Sequence, residues 1–215
     1  MKKLLIASAV TVMLFAAQAK AQTGIVFYSF NDQSSTGALI TAAVGSSISQ
    51  FSNFNTAGSP LTILSSVSSN PNNHGFSAGN SVSQNNWDGS AYFQFTLDST
   101  GYSDIILSWA GNVSGTGPQN TTLRYSSTGV GGIFTDFATF ATPKNSAVTQ
   151  NLSSVSALNN NPNVVFRLVG VDASNTAAGT MKIDNFNIDA IPEPSTMLLV
   201  GAGLVGLLAL RRRRS

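Results

Sequence analysis

The chain has 215 residues, with 11 Lys and Arg against 9 Asp and Glu, one histidine and no cysteine. No cysteine means no disulfide scaffold and no thiolate zinc site, and His74 alone cannot build a histidine-based metal set. Between residues 22 and 190, four bases (Arg124, Lys144, Arg167, Lys182) meet eight aspartates and no glutamate, a net charge of −4, which disfavours a nucleic-acid partner, since that needs clustered Lys and Arg.

In chain order, Met1-Lys2-Lys3 is a basic start, residues 4–17 are apolar, and Ala19-Lys20-Ala21 is a small-residue cleavage site. Residues 1–21 therefore read as a signal peptide, taken by the secretion translocon and cut by signal peptidase at Ala19 or Ala21. Residues 22–190 are expected to form the exported domain. Strand patterns fall at 25–30, 38–44 and 61–67; 45–60, with Phe51 and Phe54, shows no readable period. Residues 68–90 read as a long loop of Ser, Asn, Pro and Gly that contains His74 and Trp87.

From residue 91 the alternation sharpens. Phe93, Phe95 and Leu97 share one face of 91–97, and Ile105, Leu107 and Trp109 share one face of 104–110. Residues 121–125 point Leu123 and Tyr125 inward and Arg124 outward; 132–140 carry Ile133, Phe134, Phe137 and Phe140. Strands follow at 147–152, at 163–169 (apolar on both faces except Arg167) and at 181–188. Period-two patterning with Gly, Pro and Asn turns predicts roughly nine or ten antiparallel strands, an all-β fold of β-sandwich type. In the last strand Met181 and Ile183 share one parity, Phe186 and Ile188 the other. One extra residue near Asp184-Asn185 would restore the face, so a β-bulge is expected there.

The tail has three parts: Pro192-Glu193-Pro194-Ser195, an uncharged stretch at 196–210, and Arg211, Arg212, Arg213 and Arg214. The prolines hold 191–195 extended and non-helical. Fifteen residues of helix span roughly 22 Å against a hydrocarbon core of about 30 Å, so the segment crosses only with bilayer thinning or snorkelling arginines. The arginine block would keep the C-terminus cytoplasmic. Together these parts, residues 191–215, resemble the PEP-CTERM sorting signal of exported bacterial proteins, also labelled ice-binding protein C-terminal domain. Ile191 stands where Val is commoner. The resemblance implies recognition by an exosortase, a membrane cysteine peptidase-transpeptidase, after transient anchoring in the inner membrane. Cleavage near Pro-Glu-Pro then delivers the protein to the cell surface or beyond. Ice binding itself finds no regular Thr-x-Thr array.

The segments Trp87-Asp88-Gly89, 92–97, Tyr125-Ser126-Ser127, Phe166-Arg167-Leu168 and 179–186 resemble the jelly-roll domain common among PEP-CTERM proteins, which is similar to carbohydrate-binding and lectin-like modules. That implies a domain that binds extracellular polysaccharide or is structural. Trp87, Tyr92, Tyr102 and Tyr125 are the candidate glycan contacts, with core packing the competing role of each. No catalytic set emerges. His74 lacks a Gly-x-Ser-x-Gly elbow, and no carboxyl pair stands out for glycoside cleavage, which leaves a secreted polysaccharide hydrolase as the alternative. No cofactor is expected. Asp32, Asp184 and Asn185 are the oxygen donors for a structural Ca²⁺, against the simpler expectation that Asp184 and Asn185 bond a local loop or Arg167.

Overall fold

The computed structural model describes residues 22–30, 40–41, 50–54, 62–65 and 80–193. Ala19, Ala21, Asp32, His74, Pro194, Ser195 and Arg211 to Arg214 lie outside them. The strands are β1 (Thr23–Tyr28), β2 (Ile40–Thr41), β3 (Gln50–Phe54), β4 (Thr62–Ser65), β5 (Asn80–Gln84), β6 (Tyr92–Leu97), β7 (Tyr102–Val113), β8 (Pro118–Ser126), β9 (Thr135–Ala141), β10 (Ser146–Asn151), β11 (Val164–Ala173) and β12 (Met181–Pro192). A 3-10 turn occupies Ser156–Leu158. Among the described residues no helix is long and apolar enough to cross a membrane. The expected apolar span at 196–210 lies outside them.

The strands form two antiparallel sheets. One runs β10-β7-β12-β5-β4, with β1 also paired to β12; the other runs β2-β3-β6-β11-β8-β9. The all-β sandwich is as expected, and its hydrophobic core lies between the sheets. β6 and β11 send Phe93, Phe95, Leu97, Val164, Phe166 and Leu168 inward, where they meet Ile105, Leu107 and Trp109 of β7. Alternation thus decided both faces, because a one-residue slip would have turned these rings to water.

The expected bulge is present. Asp184 pairs with Ala110 and Asn187 with Ser108, so β12 spends three residues where β7 spends two. Asn185 absorbs the turn with φ 49°, a left-handed value that Asn tolerates better than most residues. Met181 and Ile183 before it, and Phe186 and Ile188 after it, then all reach the core. The bulge is also a handover: β5 pairs with 181–183 on one edge of β12, and β1 pairs with 186–190.

Three expectations need correction. Residues 68–90 are not one loop, since β5 lies within them. Asn80-Ser-Val-Ser-Gln84 offers a single apolar residue, so its alternation is carried by buried Val82 and Gln84. The Gln84 amide oxygen accepts from Asn53 Nδ2 at 2.7 Å, a hydrogen bond between the two sheets. β3 was likewise unread. Finally, residues 132–134 do not belong to β9: they close a glycine-rich loop in which Ile133 is 88% exposed.

Tyr28 lies in the core against Phe95 and Phe186. Burial pushes its hydroxyl above the usual tyrosine range. The folded chain then keeps a proton that the unfolded chain releases above about pH 10. That contribution is complete below about pH 10 and is lost as the pH rises further. Urea unfolding followed into that range should show stability falling, and Tyr28→Phe should make the fall shallower.

Candidate functional site

The outward residues of the second sheet form one register. Ser52 of β3 pairs with Gln94 of β6, Gln94 with Arg167 of β11, Arg167 with Arg124 of β8, and Arg124 with Asp136 of β9. Five polar side chains, one per strand, thereby cross the sheet at right angles to the strands. Hydrogen bonds tie the row together. Gln94 Nε2 donates to Ser52 Oγ at 3.3 Å, and its Oε1 accepts from Arg167 Nε at 2.9 Å. Arg124 Nε donates to Asp136 Oδ1 at 2.6 Å in an ion pair whose side chains are 39% and 61% exposed.

Aromatic rings enclose the middle of the row. The Arg167 guanidinium carbon lies 4.0 Å from the Tyr92 ring centroid and 3.7 Å from that of Phe134. A planar, weakly hydrated guanidinium suits this sandwich better than an ammonium would. The glycine-rich loop makes it possible: Gly129 takes φ 90°, its N–H donates to the Asn163 carbonyl, and Arg167 Nη2 donates to the Val130 carbonyl at 3.4 Å. Burial draws the Arg167 pKa below its ordinary value; Tyr92 opposes this, and facing Arg124 adds to it.

The four candidate aromatics do not share a face. Trp87 is 1% exposed, a core residue and not a glycan contact. Its indole nitrogen donates to the Gln84 carbonyl, and its ring meets Phe93 edge-on. Gly170 makes room for it, since a Cβ there would come 2.5 Å from the Trp87 ring. Tyr102 and Tyr125 pack their rings against the core. Tyr92 alone stands in the polar row's surroundings. Arg167, Phe134 and Gln94 were missed as site residues, although Arg167 was signalled as the one charge in the apolar run 164–169.

On the other sheet, Asp184 Oδ1 accepts from the Asn185 backbone N–H at 2.7 Å, the local bond expected as the alternative to metal. Arg167, the other partner considered for this pair, stands in the opposite sheet. Asn185 is fully buried, and among the described residues neither atom of its side-chain amide has a hydrogen-bond partner. Among the described residues no group of three His, Cys, Asp or Glu side chains comes together.

The expected extended strip at 191–195 is seen as far as Glu193. Ile191 pairs with Ser103 and Pro192 with Tyr102, so β12 continues into the first residue of the motif. The Glu193 N–H donates to the Gly101 carbonyl at 2.8 Å. The other aspartates with clear partners are engaged locally: Asp88 with Ser90, Asp98 with Thr100 and Asp172 with Asn120.

An antiparallel two-sheet β-sandwich is the class of fold that these strands define. The CBM22-1 xylan-binding domain of Paenibacillus barcinonensis Xyn10C is 10% identical and superposes with a TM-score of 0.50, over 82% of this chain and 99% of that one. The CBM22-1-CBM22-2 tandem domain of the same protein gives 10% identity and a TM-score of 0.50, over 84% of this chain and 48% of that one. At such identity the likeness concerns fold alone. No curated protein matches the chain in sequence. Residues 190–214 match the family model described as the PEP-CTERM protein-sorting motif, so the chain carries this sorting signal, which implies export and a surface location.

Proposed function

We propose that the chain is an exported, non-enzymatic surface or matrix protein whose β-sandwich binds extracellular polysaccharide, and whose tail is processed by an exosortase. The signal peptide at 1–21 starts export, the segment at 196–210 anchors the chain transiently in the inner membrane, and the arginine block holds the C-terminus in the cytoplasm. The observation that supports binding is the polar row beside Tyr92 and Phe134. Sugars are held by a ring plus several directed hydrogen-bond groups, and this face supplies both. Catalysis fits less well. A glycosidase needs two carboxyl groups facing one sugar, whereas Asp88, Asp98, Asp136, Asp172 and Asp184 are each bonded to a nearby group.

Two measurements test the halves of this proposal separately. Mass spectrometry of surface protein should find a C-terminus between Pro192 and Ser195, and a retained Arg211 to Arg214 block would sink the sorting half. Pull-down on the host's own exopolysaccharide should retain the protein. Tyr92→Ala should weaken retention by about tenfold, the loss of one ring contact worth about 1–1.5 kcal/mol. No retention would leave a structural role, and polysaccharide cleavage on a zymogram would favour the hydrolase.

A further inference from the structure

Arg124 and Arg167 stand directly opposite each other on β8 and β11. Like charges in that register repel. Among the described residues one carboxylate answers the pair: Asp136 takes Arg124 Nε. Arg167 bonds only neutral groups, the Gln94 amide oxygen and the Val130 carbonyl. The terminal nitrogens of Arg124 have no hydrogen-bond partner there. The pair therefore presents one positive charge in excess, at a partly exposed position, within a domain of net charge −4.

Guanidinium forks pair best with planar or tetrahedral oxyanions. Arg167 is also held rigid between two rings, so less side-chain entropy is lost when an anion arrives. We infer that the polymer taken by this face is anionic: a polysaccharide bearing carboxylate or sulfate groups, one of which bridges Arg124 and Arg167. This rests on reading the face as a polysaccharide platform, and it names the class of polymer. The row suits an acidic sugar chain better than a nucleic acid. Beyond the two arginines it continues into Gln94 and Ser52 on one side and Asp136 on the other, groups that bond hydroxyls, whereas a phosphodiester track needs successive bases.

The test is retention of the full-length protein, in detergent, on immobilised polyuronate, sulfated dextran, neutral xylan, neutral dextran and single-stranded DNA. Binding to polyuronate or sulfated dextran should exceed binding to the neutral polymers by about tenfold at low salt, as expected for one charge-assisted bidentate contact. The two anionic arms separate carboxylate from sulfate as the recognised group. The excess should shrink toward parity near 1 M salt, where screening is nearly complete. Arg124→Gln should abolish the excess, whereas Lys144→Gln, at an exposed cation outside the row, should leave it unchanged. Asp136→Asn should raise it severalfold by removing the competing carboxylate. Equal retention on acidic and neutral polymers, unchanged by Arg124→Gln, would overturn the anionic assignment and leave the polysaccharide reading standing. Failure to bind any polysaccharide would remove that reading too. DNA retention equal to that on polyuronate would reassign the pair to phosphate and overturn the proposal.

Discussion

Phe186 lies almost flat on Phe95, with ring centroids 3.5 Å apart and planes 7° from parallel, and this contact joins the two sheets at their centre. Trp109 stacks on the same Phe186 ring at 5.7 Å, and Tyr28 tilts against it at 6.4 Å. None of these contacts would exist without the extra residue at Asn185. Strand parity is strict, so a β12 without a bulge would turn either Met181 and Ile183 or Phe186 and Ile188 out of the core. The bulge also lets two short strands, β5 and β1, serve one edge of a single long strand. The cost is concentrated there: a left-handed backbone at Asn185 and a buried side-chain amide with no partner among the described residues.

How much of this could be read in advance depended on where the apolar residues fell. β6, β7, β11 and β12 were legible because their inward positions are Phe, Ile, Leu, Val and Trp, and the bulge was legible as a break in that parity. β5 was not, because its inward pair is Val82 and Gln84, and a hydrogen bond to Asn53 does the work of a second apolar contact. Trp87 misled for a related reason. It sits among Asn, Asp and Gly, a context that signals an exposed loop, yet its ring fills the space left by Gly170. A cavity made by a missing side chain some 80 residues away leaves no local signal.

The polar row was hidden for a different reason. Ser52, Gln94, Arg124, Asp136 and Arg167 are unremarkable singly, and only the pairing of β3, β6, β11, β8 and β9 lines them up. Residues that alternate away from a core are free of packing constraints, so their identities answer to whatever the face meets. Here that freedom was used for a connected set. Gln94 orients Arg167, the rings of Tyr92 and Phe134 hold its plane, and a loop with three glycines near its tip brings Phe134 into place. The chemistry of the face therefore depends on the strand order of the fold, and a slip of one residue in β11 would replace Arg167 with Phe166 or Leu168.

The same long strand connects this domain to its address. Beyond Ala190, among the described residues, β12 pairs with β7 alone. A proline is costly in a strand when its missing N–H would have pointed at a partner. Backbone groups alternate sides along a strand, and Glu193 donates toward Gly101, so the nitrogen of Pro192 faces away from β7. Pro192 thus costs the pairing with β7 no hydrogen bond, and the sorting motif can begin inside the last strand without weakening that pairing. The folded domain and the sorting signal share backbone, with no linker between them. A peptidase that needs Pro192 and Glu193 extended meets them already extended, held along β7.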